Sequence, residues 1–268
     1  VTDVQQDKQA EIRAAKEAIA GPVPLIGDAP DIQLVLPRGM FQQGQWQREV
    51  EVRELTGIDE EALAKATDQL AFFSTVIAFG TVSIGNIDLS GTPVAERKFF
   101  LGELLLGERE QIFMKVIQTT FGNKKVIPFA CSLCEEKQEM EMLLDQDFPP
   151  KEVADIEQLT FSYTTKNGDV LDVRPAVGAD QEEALSRKGA SLAEQNTIML
   201  SRCITKRNGD LIVDPVNFAR KLGMKDRYAV LEAMIERQPS VQLDVTTACA
   251  ACGGEQKIAL SWGDIFRA

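Results

Sequence analysis

The sequence predicts an α+β fold made of one unit used twice, and three observations carry that expectation. Alternating strand-like segments end at a glycine in Val50–Gly57 and again in Val170–Gly178. Helical patterns and two Cys-x-x-Cys pairs then follow in the same order in both stretches. Matched landmarks keep nearly the same spacing: 121 residues from Arg53 to Arg174, 118 from Arg109 to Arg227 and 118 from Cys131 to Cys249. The predicted organisation is an N-terminal helical arm and Pro/Gly linker over 1–31, a first repeat over 32–148, a joint over 149–156 and a second repeat over 157–268.

Within the arm, Ile12, Ala15 and Ile19 fall near helical spacing among charged residues. They suit a solvated terminal helix or an arm that docks on a neighbouring subunit. Gly21, Pro22, Pro24, Gly27 and Pro30 end any helix. In the first repeat, Leu34–Leu36 and Gln47–Val52 are expected as strands joined by a long loop, Arg38 to Trp46. That loop carries Met40, Phe41 and Trp46, as contact surface or as core. In the second repeat the hairpin is tighter, since Lys166–Asn167–Gly168–Asp169 separates Phe161–Thr164 from Val170–Val173. Behind each hairpin an acidic helix opens, with Asp59 and Asp180 as expected caps.

A one-sided helix is predicted through Arg109, Ile112, Phe113, Val116 and Ile117, and a matching one through Arg227, Val230, Leu231, Met234 and Ile235. Strands are expected at Val126–Phe129 and Val241–Val245 before the cysteine pairs, and at Met140–Leu144 and Ile258–Trp262 after them. Phe148 and Phe266 close the two units. Each unit thus reads hairpin, helices, strand, Cys-x-x-Cys, strand, a zinc-ribbon-like element on an α+β body.

Composition narrows the chemistry. There is no histidine among the 268 residues, and 41 acidic residues face 29 basic ones for a net charge of −12. A Ser-His-Asp triad, a Cys-His pair and a His-ligated metal made within this chain are excluded. The acidic balance argues against a nucleic-acid partner, which needs a clustered basic surface. No run of eighteen apolar residues is present, so no membrane span is expected, and the polar first twenty residues argue against a secretory signal. The acidic clusters Asp59–Glu61, Glu135–Glu136 and Glu182–Glu183 are expected as solvated faces.

One Cys-x-x-Cys pair offers two ligands, whereas zinc takes four in a tetrahedron. With no histidine available, the economical arrangement is one structural Zn2+ on Cys131, Cys134, Cys249 and Cys252, tying the repeats about a pseudo-twofold axis. Disulfides, a redox dithiol and a zinc shared between chains stay open beside it. Cys203, within the apolar stretch Ile198–Ile204, is expected as an inert core residue. No residue set for catalysis or for a further cofactor stands out, and the chain is expected not to be an enzyme.

The combined pattern has a family likeness. The strand ending Val52–Arg53–Glu54–Leu55–Thr56–Gly57, the acidic helix start, the Gly107–Glu108–Arg109–Glu110 helix and the Cys-x-x-Cys pairs, all repeated, resemble contractile-tailed bacteriophage proteins. These are the T-even-type baseplate hub or hub-assembly proteins, and the resemblance covers about residues 32–266. The first cysteine pair departs from the commoner form, with Glu135–Glu136 where a glycine often follows; the second keeps Gly253. The resemblance implies a structural, non-enzymatic baseplate component present in several copies, contacting hub, wedge or tape-measure-end proteins. It also implies a place in the virion tail after assembly in the host cytoplasm. A retained part and an assembly chaperone both suit it, the zinc-stapled body favouring the former. A zinc-ribbon nucleic-acid binder and a thiol-disulfide enzyme are the competing classes.

Overall fold

Two alternating segments, Gln33–Gln42 (β1) and Gln45–Val52 (β2), pair antiparallel across a Gln43–Gly44 turn in the computed structural model. The model describes residues 32–267 except Ala154, Glu157 and Lys188. The arm expected over 1–31 therefore lies outside the described residues. Both turn residues have positive φ, 50° and 80°, the geometry that matches the right-handed twist of a hairpin. The loop expected over Arg38–Trp46 is thus mostly strand. Its irregularity is a register shift between Val35 and Met40, where the Arg38 and Gly39 N–H groups leave the ladder and donate to Glu108 Oε1, both at 2.6 Å. A buried side-chain acceptor 69 residues away replaces cross-strand bonds, which no local pattern announces. Met40 is buried there, while Phe41 and Trp46 stay largely exposed.

The first half continues with Gly57–Leu63 (α1), Gln69–Gly80 (α2), Thr81–Ile84 (β3), Ile87–Asp88 (β4), Val94–Gly102 (α3), Leu106–Phe121 (α4), Lys124–Ala130 (β5) and Lys137–Leu143 (β6). Its four-stranded sheet has the order β1-β2-β3-β4, and β5 pairs with β6 as a separate ribbon. Then come Phe161–Thr164 (β7), Val170–Val173 (β8), Gly178–Leu185 (α5), Leu192–Cys203 (α6), Ile204–Arg207 (β9), Asp210–Leu211 (β10), Pro215–Lys221 (α7) and Met224–Glu236 (α8). A second ribbon, Asp244–Ala248 (β11) with Glu255–Ala259 (β12), and the short helix Trp262–Arg267 (α9) complete the chain. The second sheet, β10-β9-β8-β7, has the same connectivity as the first. The described residues thus form a mixed α+β fold, and none of their helices is long and apolar enough to cross a membrane.

Several expected strands shift along the chain. Val241 does not open β11; it bridges Pro150, and Lys151 N–H donates to Ser240 O at 2.7 Å. The segments leaving the first ribbon and entering the second therefore run beside each other. Beneath them Gly107 has no room for a side chain, because a Cβ would run into the Pro239 backbone. The strands after the cysteines start earlier than expected, at Lys137 and Glu255, since each knuckle turn feeds directly into its strand. Trp262 opens α9 instead of ending a strand, with its ring edge-on to Phe73 and Phe113 at 5.5 and 5.1 Å. Helix α2 is apolar nearly all round, so it lacks the one-sided period that marks α4.

The core falls into two clusters. One, around Leu36, Ile77, Phe113 and Ile117, also takes in Val241 and Ile265 from the end of the chain. The other lies around Leu171, Leu200, Cys203 and Val230. The C-terminal ribbon and α9 thus pack on the first half.

Asp59 and Asp180 are not N-caps. They sit at the third helical position, behind Thr56 and Val177, whose N–H groups donate to them at 2.8 and 3.0 Å. Arg53 and Arg174 each donate two further bonds to these carboxylates, at 2.6–2.9 Å. The acids expected as solvated are partly engaged as well: Asp59 is buried, and Glu182 accepts from Arg109 at 2.6 Å. Burial opposes ionisation of Asp180, but Arg174, the Val177 N–H and Arg202 outweigh it and hold the carboxyl below the usual range. Asp180→Ala leaves Arg174 and Arg202 without their buried partner and should cost about 3–5 kcal/mol. Asp59→Ala should cost less, because Asp59 holds one arginine where Asp180 holds two. Urea unfolding of the two variants side by side measures the difference.

Candidate metal centre

Each cysteine pair sits in the turn of a two-stranded ribbon, and the two turns are built alike. Cys131 N–H donates to Glu136 O and Glu135 N–H to Cys131 O; Cys249 N–H donates to Gly254 O and Gly253 N–H to Cys249 O, all at 2.8–3.0 Å. This folds the chain back so that both thiols of a pair point the same way. The turn needs a left-handed residue after the second cysteine, and Glu135 has φ 59° where Gly253 has φ 71°. The missing glycine of the first pair therefore leaves the turn geometry unchanged, with the strain of a left-handed Glu in its place.

The ribbons meet at their tips. Cys131 Sγ lies 3.7 Å from Cys252 Sγ, and Cys134 Sγ lies 3.6 Å from Cys249 Sγ. All four sulfurs are within 4.8 Å of one another. Metal–sulfur bonds of about 2.3 Å in a tetrahedron put ligand sulfurs about 3.8 Å apart, so the donor set fits a four-thiolate ion. None of these cysteines is in a disulfide. The pairing is crosswise, the first cysteine of each pair facing the second of the other.

Polar donors are aimed at two of the sulfurs. Leu133 N–H and Cys252 N–H point at Cys131 Sγ and Cys249 Sγ at 3.4 and 3.5 Å, and Gln138 Nε2 donates to Cys249 Sγ at 2.8 Å. The Cys252 N–H, with help from Gln138, holds Cys249 down to about 6. The Glu136 N–H acts in the same sense on Cys134, yet burial and the three neighbouring sulfurs push it up to about 12.

Two supporting residues escaped the sequence reading. Gln138 Oε1 accepts from Ala250 N–H of the opposite knuckle at 2.9 Å, and Gln256 Oε1 accepts from Ser132 N–H at 2.9 Å. Each glutamine stands seven residues after the first cysteine of its pair. That shared offset was the available signal. Cys203 lies apart from the cluster, fully buried in α6. Burial first, and Asp180 at 3.8 Å second, push its thiol up to about 12, which leaves it inert.

A cleft of about 610 Å³ also opens where the halves meet, lined by Phe73, Leu106, Glu110 and Trp262 on one side and Gln181 and Leu185 on the other. In its lining Glu110 accepts from Val241 N–H at 2.8 Å and so ties α4 to the crossing segment. Burial raises it to about 7 against that hydrogen bond.

Residues 48–266 match the family model described as T4 bacteriophage base plate protein. The chain belongs to that family. Membership points to a structural protein of the phage baseplate, associated with other tail proteins in the virion tail. No curated protein matches the chain significantly, and no solved structure does.

Two outcomes follow for this baseplate-family protein. Gly253 has open space around it, so Gly253→Ala should lose about 1 kcal/mol from backbone strain alone. Glu135→Gly should gain a similar amount, read as opposite shifts in the thermal midpoint. Glu110 binds its proton more tightly folded than unfolded. Its contribution is therefore fully present below about pH 4.5 and lost as pH rises through about 7. Glu110→Gln, which keeps the acceptor oxygen, should flatten that slope and add about 2–3 kcal/mol above pH 7, measured by urea unfolding from pH 5 to 8.

Proposed function

We propose that this chain is a non-enzymatic structural part of the bacteriophage tail baseplate, with its two halves stapled by one structural Zn2+ on Cys131, Cys134, Cys249 and Cys252. The observation that carries the reading is the tetrahedral spacing of four thiols, from pairs 114 residues apart (135–248), in a chain of the baseplate family. A structural zinc contributes about 10 kcal/mol or more. Closing a loop of that length costs about 4–5 kcal/mol of chain entropy, so the ion outweighs the closure.

The halves, 32–148 and 157–268 about a joint at 149–156 and behind an arm at 1–31, are copies of one unit. Support comes from polar groups as much as from sheet order. Arg53–Asp59 matches Arg174–Asp180. Arg109 donates to Ser74 Oγ in α2 as Arg227 donates to Thr197 Oγ1 in α6. Glu108 accepts backbone N–H groups of the first hairpin, and Asp226 accepts Lys166 N–H of the second. The chain binds hub, wedge or tape-measure-end proteins, sits in the tail in several copies, and is assembled there in the host cytoplasm. The flanks Glu135, Glu136, Glu139 and Glu141 of the first knuckle oppose a nucleic-acid partner.

Purified chain should carry one zinc. Cys131→Ser and Cys249→Ser should lose it and unfold at lower temperature. Cys203→Ser should keep it at a cost of about 1–3 kcal/mol. Equal damage from all three would contradict the shared site. Mass spectrometry of purified particles should find the chain in fixed ratio to the other baseplate proteins; its absence would leave an assembly chaperone.

A further inference from the structure

At the sulfur cluster the two knuckles meet reciprocally, first cysteine to second, but the helical bodies meet through unlike patches. The first half contributes the corner Leu104–Arg109, and the second contributes the turn Val177–Glu182. Leu105 bridges Val177, and Gly178 N–H donates to Leu104 O at 3.0 Å. Leu106 packs against the second core. Arg109, 1% exposed, reaches Glu182 at 2.6 Å. Gly178 is required at this joint because a Cβ there would collide with the Arg109 guanidinium.

A contact made from two different patches is heterologous. If the halves are copies of one unit, each carries both patches, and one of each is left over. The unused turn is Thr56–Glu61 on the first half; the unused corner is Leu222–Arg227 on the second. Both carry the marks of a joint without a partner. Ile58, the counterpart of Ala179 against Gly102, is 80% exposed, and Met224, the counterpart of Leu106, is 71% exposed. Gly57 matches Gly178, yet a side chain on it would meet nothing within 4 Å. Glu61 is exposed and Arg227 half-exposed, opposite charges at the positions of Glu182 and Arg109.

We infer that copies of this chain associate head to tail, the Leu222–Arg227 corner of one seating on the Thr56–Glu61 turn of the next as Leu104–Arg109 seats on Val177–Glu182 within the chain. The inference rests on the repeat reading proposed above. In it, Gly57 makes room for Arg227 of the neighbour, Met224 and Ile58 lose their exposure, and Arg227 pairs with Glu61.

The test is a mixed cross-link on the full, zinc-loaded chain. One variant carries Thr56→Cys and another Gly223→Cys, the counterparts of Val177 and Leu105, whose bridge brings backbones within disulfide reach. Under mild oxidation, a cross-linked dimer is expected in the mixture and not in either variant alone. Adding Ile58→Asp and Met224→Asp should abolish it, leaving a monomer by light scattering with its zinc retained. Dimer from one variant alone means a symmetric contact and overturns the proposal, as does no dimer in the mixture at high protein concentration. A third variant, Leu105→Cys with Val177→Cys, reports the internal joint. If it locks while the mixture does not, the association alone is wrong. If neither locks, the joint and the repeat reading built on it fall together.

Discussion

Four sulfurs brought within 4.8 Å of one another are the constraint around which the rest of this molecule is arranged. The second ribbon, β11–β12, sits 114 residues beyond the first cysteine pair (135–248), and its tip meets the first ribbon sulfur to sulfur. That meeting carries the end of the chain back across the molecule. Val241, Trp262, Ile265 and Phe266 consequently pack with Phe72, Phe73 and Phe113 in the first core and not with the second. The crossing of 149–151 with 239–241, the glycine required at Gly107 and the Glu110 bond to Val241 all follow from that return path.

Between the halves the polar groups do most of the specifying. A buried arginine–carboxylate pair contributes little net stability, because desolvation offsets the attraction, but breaking one is costly. Such pairs therefore act as position markers. Arg53–Asp59 and Arg174–Asp180 fix the angle between each hairpin and its first helix. Arg109–Glu182 fixes one half against the other, and Glu108 holds open the bulge of β1. In the sequence Asp59 and Asp180 read as caps and Glu182 as surface charge, because local spacing cannot show which arginine lies opposite.

The chemistry of the centre matches the role that family membership points to. Four thiolates on one metal ion would leave no open coordination position for a substrate, and Gln138 and Gln256 lock each knuckle to the other. That arrangement resists bending more than it supports turnover.

Much of this was legible in the residue order. The absence of histidine, the two Cys-x-x-Cys pairs and their near-constant offset from other landmarks pointed to the α+β class and to the four cysteines that the structure brings together. The hairpin at Asn167–Gly168 and the one-sided helices α4 and α8 were legible because each is set by neighbours a few residues apart. Beyond that range the tertiary structure decided. It turned Arg38–Trp46 into bulged strand through Glu108, moved Val241 out of β11 to meet Pro150, and made Asp59 and Asp180 partners of arginines in place of caps. It also brought the two ribbons together sulfur to sulfur and seated Leu104–Arg109 against Val177–Glu182. Periodicity reports which face of an element is buried, but not what buries it, and each of these features depends on a partner far along the chain.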